Sequence, residues 1–221
     1  MKRTLPALLL VILVFSAQAS YAQRFFGPSM ERAGRFDLSL GMVFQDNYSQ
    51  SGQNGSSLKF DSETGFRFAF DYNFNNNLSL GIGFEFIRPD YTATIVDVDT
   101  NEEQSISYTA DQVNSQIRGI WNIFDGPLTP FIEASMGWTY FDSNFASEPP
   151  RTGCWWDPWW GYICSTFYNT YTDTSFSYGA GAGVRWDINE SFFLKGGYHY
   201  LTLDNADPDK PQLRSGRLEF G

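Results

Sequence analysis

Between Phe176 and Ile188 the sequence FSYGAGAGVRWDI holds a period of two without a break. Phe176, Tyr178, Ala180, Ala182, Val184, Trp186 and Ile188 fall on one side of an extended chain. Ser177, Gly179, Gly181, Gly183, Arg185 and Asp187 fall on the other. Successive side chains of a strand point to opposite faces, so the pattern predicts a strand with one apolar and one polar face. The same alternation recurs in FDLSLGMVF (36–44), TGFRFAFDYNF (64–74) and LSLGIGFEF (78–86). It continues with Val113, Ile117, Trp121 and Ile123 set against Asn114, Gln116, Arg118 and Asn122. Ile132, Ala134, Met136, Trp138 and Tyr140 are likewise set against Glu133, Ser135, Gly137 and Thr139. A seventh strand is expected over about 192–202, and an eighth passes through Leu218 and Phe220. No helical period of comparable length competes with this reading after residue 22.

The connections obey a parity. NNN (75–77), DGPL (125–128) and NES (189–191) are tight turns rich in Asn, Asp, Gly and Pro. They alternate with longer polar stretches at about 46–59, 89–105, 143–172 and 204–212. Short turns at one end and long loops at the other are the layout of a transmembrane barrel, which the sequence therefore predicts: all-β, eight-stranded, antiparallel and up-and-down. In such a barrel the apolar face meets lipid and the polar face turns inward. Aromatic residues belong at both membrane interfaces. Tyr72, Phe74, Trp121 and Trp186 lie near the short turns; Phe84, Phe86, Trp138, Tyr140, Tyr198 and Tyr200 lie near the long loops. The rival reading, a soluble secreted barrel of lipocalin type, puts the apolar face inside.

The register turns Asp37, Arg67, Asp71, Glu85, Arg118, Glu133, Arg185, Lys195, Arg217 and Glu219 inward. On the lipid face a basic residue at mid-depth costs about 2–4 kcal/mol, so these charges belong to the lumen. Eight strands enclose a space that side chains can fill, and opposite charges there are expected to pair into a plug. A narrow ion path with a charged constriction is the alternative.

The N-terminus reads as a secretory signal peptide over residues 1–22: Lys2 and Arg3, an apolar run from Leu5 to Phe15, then a small-residue end with cleavage after Ala22. Residues 23–33 form a lead-in and 34–221 the barrel domain. Loss of Lys2 and Arg3 moves the formal charge from −10 to about −12, which excludes nucleic acid as a partner.

With signal, eight strands, short turns, four long loops and the terminal RLEF, the chain resembles the small outer-membrane β-barrel family, the OmpA/OmpX/OmpW-like and opacity-type porin-family proteins. The resemblance covers residues 34–221 and rests on pattern. It implies residence in the cell outer membrane, with lipid and lipopolysaccharide as surroundings. It also implies a terminal aromatic residue read by the barrel-assembly machinery. Here Phe220 is penultimate and Gly221 follows.

The stretch CWWDPWWGYIC (154–164) holds both cysteines and four of the seven tryptophans. Parity places it in the third and longest outer loop. In an oxidising compartment an even cysteine count predicts a Cys154–Cys164 disulfide, contributing about 2–3 kcal/mol to loop order. Asp157-Pro158 suits the turn at its centre. Trp155, Trp156, Trp159, Trp160 and Tyr162 are the candidates for recognition of an external ligand or surface. Packing over the barrel mouth as a lid is the plainer expectation. Two thiols and one remote histidine do not make a four-ligand metal site. DVDTNEE (97–103) and DNADPD (204–209) are acidic but lack the framework of a calcium loop. DVDTNEE reads as the solvated tip of a long hairpin whose strand-like flanks YTATIV (91–96) and SISYTA (105–110) carry strands three and four beyond the bilayer. His199, the one histidine, has no serine two residues away to serve as a nucleophile and reads as a core residue. The expected function is therefore a non-enzymatic barrel without cofactor or metal. It serves as a scaffold for surface loops in envelope integrity or surface binding, with a small pore for ions or solutes as the alternative.

Overall fold

The computed structural model describes residues 31–51, 55–96, 102–204 and 211–221. The expected signal segment, most of the lead-in, residues 97–101 of DVDTNEE and residues 205–209 of DNADPD lie outside them. The strands in chain order are β1 (Phe36–Gln45), β2 (Tyr48–Ser51), β3 (Ser57–Phe60), β4 (Glu63–Asn73), β5 (Leu78–Ile87), β6 (Asp90–Val96) and β7 (Glu103–Thr109). They continue with β8 (Asp111–Asn122), β9 (Leu128–Ala146), β10 (Arg151–Asp157), β11 (Gly161–Phe167), β12 (Thr170–Asp187), β13 (Phe193–Asp204) and β14 (Gln212–Phe220). Among the described residues there is no α-helix.

Eight of these strands, β1, β4, β5, β8, β9, β12, β13 and β14, form a closed antiparallel barrel in which chain neighbours are also sheet neighbours and β14 pairs back onto β1. Closure removes both sheet edges, a requirement for strands in lipid. The short connections leave β4, β8 and β12 at one end, as expected.

Burial is inverted relative to a soluble core. In β1 the exposed side chains are Phe36, Leu38, Leu40, Met42 and Phe44, while Asp37, Ser39 and Gln45 are buried. β12 behaves alike, with Phe176, Tyr178 and Trp186 outside and Ser177, Arg185 and Asp187 inside. A soluble barrel with its apolar face inward is thereby excluded. The outward aromatics touch one another: Phe36 with Phe70 and Tyr72 toward the short turns, and Trp138, Phe176 and Tyr178 toward the long loops.

The long-loop end carries the expected projections of strands three and four and further strands besides. β2, β3, β6 and β7 build a separate four-stranded sheet, and β10 with β11 forms a hairpin on extensions of β9 and β12. The segments 90–96 and 103–109 carry the β5–β8 hairpin outward in the same register, Ile87 opposite Gln112 and Asp90 opposite Thr109, and join the outer sheet where β6 pairs with β3. Pro89 has no N–H for the barrel ladder, and its carbonyl accepts from the Ala110 N–H at 2.9 Å, so the ladder is interrupted there and resumes as β6–β7.

The inward glycines of β12 are a spatial requirement. A Cβ on Gly179 would lie 2.7 Å from His199 Cε1, and one on Gly181 would lie 2.8 Å from His199 Cδ2. The imidazole of β13 thus lies across the inner face of β12. We expect Gly181→Val to lower the unfolding free energy in lipid vesicles by about 1–3 kcal/mol through overpacking. Ala182→Val, one residue along and facing lipid, should stay within about 0.5 kcal/mol in the same urea titration.

Candidate functional site: a plugged lumen beneath an aromatic mouth

All ten charged residues assigned inward by alternation are buried in the lumen, and every one is ion-paired. Arg118 is the hub. Its Nε and Nη2 hold the two Asp71 oxygens at 2.8 and 2.7 Å, a two-pronged contact. Its Nη1 and Nη2 also hold Glu219 at 2.9 and 3.0 Å. Arg118 of β8 reaches Asp71 of β4 across the inner face of β5, where Gly81 leaves the path open.

Arg67 donates from Nε to Glu219 at 2.8 Å and from Nη1 to Glu85, its register partner. Arg217 holds Glu85 at 2.7 Å and Glu133 at 2.8 Å, and Lys195 holds Asp71 at 3.1 Å. Four cations and four carboxylates balance. Each ion has lost water and depends on its partners for compensation. The cavity left beside Phe131, Glu133, His199, Lys195 and Arg217 is about 10 Å³, room for one water at most.

A second ionic group sits toward the short turns. Arg185 pairs with Asp37 at 2.5 Å and Asp187 at 2.8 Å. Arg32, in the segment read as a lead-in, enters the same group. Its Nε and Nη2 hold Asp187 Oδ2 at 2.8 and 2.5 Å. Its remaining donors reach the carbonyls of Gly126 at 2.6 Å, Asn76 at 3.1 Å and Phe124 at 3.3 Å. One guanidinium therefore stoppers this end and ties two turns to β12. Alternation could not find Arg32, because it precedes the first strand and its targets are mostly carbonyls.

Above the ions lies a layer of amides and hydroxyls. Gln45 and Gln112 exchange hydrogen bonds at 3.2 and 2.9 Å, Asn114 donates to Glu85 at 2.9 Å, and Gln116 donates to Ser177 at 2.7 Å. Higher still the interior turns apolar: Phe60, Tyr91 and Ala110 form one buried cluster and Leu201, Leu203 and Leu213 another. Tyr48 packs on both and stacks on Phe60 at 4.5 Å. Burial pushes the Tyr48 hydroxyl well above the ordinary phenol range.

Cys154 and Cys164 face each other across β10 and β11 and form a disulfide. Asp157 Oδ1 accepts from the N–H groups of Trp159 and Trp160 at 2.8 and 2.9 Å, and Gly161 takes the positive φ of 78° that ends the turn. The lid expectation is corrected. Trp159 is 87% exposed, Trp160 81%, Tyr162 72% and Trp156 70%; Trp155 is the most covered at 43%. At these exposures the rings of Trp156, Trp159, Trp160 and Tyr162 are not packed over the mouth.

His199 is a buried core residue, as expected, and a serine from another strand lies beside it. Ser135 of β9 comes within 3.2 Å of His199 Nε2 across the β12 glycines. Glu133 approaches the same nitrogen at 3.8 Å, so no carboxylate orients the opposite ring nitrogen as a nucleophile–base–acid relay needs. All three side chains are buried. Among the described residues no group of three or more His, Cys, Asp and Glu side chains is placed to hold a metal ion.

A closed eight-stranded meander with apolar residues outside and charges inside defines a small outer-membrane β-barrel protein. The chain belongs to the outer membrane protein beta-barrel domain family, whose model matches residues 7–216. No curated protein matches its sequence. Among solved structures it is similar in fold to OprG of Pseudomonas aeruginosa, at 13% identity and a TM-score of 0.52, covering 86% of this chain and 94% of that one. It is also similar to Neisserial surface protein A, at 12% identity and 0.51, covering 84% and 97%.

Removing one member of the central network should cost more than any surface change. Arg118→Met leaves Asp71 and Glu219 without their shared partner and should lower the unfolding free energy by about 3–5 kcal/mol. Arg32→Met should cost about 1.5–3 kcal/mol. Urea titration in vesicles, followed by the heat-modifiable gel shift, measures both. Values near zero for Arg118→Met would count against a plug held by its charges.

Proposed function

We propose that this protein is a non-enzymatic outer-membrane scaffold. Its barrel, closed by its own charges, holds a disulfide-stapled aromatic hairpin outside the cell for contact with an external ligand or surface, and the closed barrel supports envelope integrity. The single observation that carries this reading is the hairpin itself. Trp156, Trp159, Trp160 and Tyr162 stand exposed on a covalently closed turn at the long-loop end. Large aromatic side chains are expensive to leave in water unless something covers them, and Trp and Tyr supply much of the energy at recognition surfaces. The staple reduces the entropy lost when the tip is bound.

The ionic network supports the scaffold over the pore. Arg67, Arg118 and Arg217 converge on Glu85, Glu133 and Glu219 in the middle of the barrel, and a permeating ion would have to break those pairs. Outer-membrane lipid and lipopolysaccharide surround the exposed apolar faces in this reading. The assembly machinery reads the β14 end, where Phe220 faces outward and Gly221 pairs with Phe193.

Intact cells carrying the wild-type protein, Trp159→Ala/Trp160→Ala or a deletion of 148–170 test the reading. Surface binding should fall at least fivefold in both variants, with the heat-modifiable barrel unchanged. Planar bilayers should show no stable channel events. Channels whose selectivity changes in Arg118→Ala would overturn the scaffold. A deletion that alters neither binding nor permeability removes the hairpin from the function.

A further inference from the structure

A cavity of about 290 Å³ lies at the long-loop end, between the four-stranded sheet and the extensions of β9 and β12. Tyr48, Leu58, Phe60, Tyr91, Phe141 and Leu203 form its apolar walls, and the rings of Tyr48, Tyr91 and Phe141 each lie within contact range of Phe60. Tyr171 and Asp173 are exposed at its rim. Its size falls at the small end of ligand pockets, about 300 Å³, and suits a molecule of one or two rings.

Several polar groups of the lining are already used. Tyr91 Oη donates to the Ser143 carbonyl at 3.0 Å, the Phe145 N–H donates to Ser143 Oγ at 3.2 Å, and Ser175 Oγ donates to Asp173 at 2.8 Å. Among the described residues the lining includes no Lys or Arg, and Asp173 is its one carboxylate. An anion there would be desolvated without a counter-charge, beside a like charge. What the site offers a ligand is chiefly ring surface. Its floor is closed: Ser175 lines it, Thr139 lies opposite Ser175 in the β9–β12 register, and Thr139 donates to Ser177 at 3.1 Å in the amide layer above the ions.

We propose that this mouth cavity binds a small uncharged aromatic molecule from the outside and, having no way through, holds it without passing it on. The site uses none of the hairpin residues, so it stands or falls apart from the hairpin's role.

The test uses the full-length protein in lipid nanodiscs and 2-naphthol as probe, with equilibrium dialysis corrected for protein-free nanodiscs. Saturable uptake of one 2-naphthol per barrel is expected, and naphthalene-2-sulfonate should bind at least tenfold more weakly. Leu58→Trp fills the cavity and should weaken 2-naphthol at least tenfold while leaving the heat-modifiable shift in place. Asp173→Lys, at the exposed rim, should strengthen naphthalene-2-sulfonate at least fivefold and leave 2-naphthol within twofold, a reversal that a mere loss of folding does not produce. Uptake equal to that of protein-free nanodiscs overturns the proposal. So does a folded Leu58→Trp that binds like wild type, or an Asp173→Lys that leaves the sulfonate unchanged.

Discussion

The contact of Arg118 with both Asp71 and Glu219 is the constraint around which the barrel is arranged. It joins β8 to β4 and to β14, strands that are not neighbours in the sheet. Backbone ladders fix each strand only to the next. Three long side chains meeting in the middle fix the cross-section as well, with Arg67 and Arg217 completing the ring through Glu219, Glu85 and Glu133. A buried ion pair is a poor source of net stability compared with good apolar packing. Its value here is in register. A slip of one residue would turn Arg67 or Arg118 to lipid, at about 2–4 kcal/mol for each basic side chain.

The glycines follow from the same constraint. An arginine can cross a strand only where that strand presents no side chain, and Gly81 lies between Asp71 and Arg118 in the register. Gly179 and Gly181 do the same for His199 on its way to Ser135. The polar face of β12, which looked merely small in the sequence, is a surface cleared for the neighbouring strand's side chains. This also explains why the Ser135–His199 contact could not be read from spacing. The two residues are 64 apart and meet over a third strand, which depends on the curvature of a closed barrel.

Strict alternation made the eight barrel strands, their inward charges and the three short turns legible, because lipid demands an apolar residue at every second position. That demand ends at the rim. β2 and β3 are four residues each, too short for a period to declare itself, so the sheet they form with the strand-like segments of β6 and β7 was not legible. Arg32 was invisible for a different reason: its partners are chiefly main-chain carbonyls, which carry no residue signature. The cysteine pair was legible from number and compartment. The outward display of Trp159 and Trp160 was not, because a turn's direction relative to the mouth is set by the strands beneath it.

From the short turns upward, the interior passes from ions to amides to aromatic rings. The order has a physical logic. Charges at mid-depth are farthest from water and must be paired within the protein, whereas groups at the mouth can be completed by solvent or by a ligand. The ionic layers leave no freedom to open without breaking several pairs at once. The mouth, by contrast, is walled by rings that share no ion pair with the layers below. A closed middle and an adaptable rim let the long-loop end vary in what it holds or touches while the membrane-spanning part stays constant. Both the stapled hairpin and the aromatic cavity sit on that side of the divide.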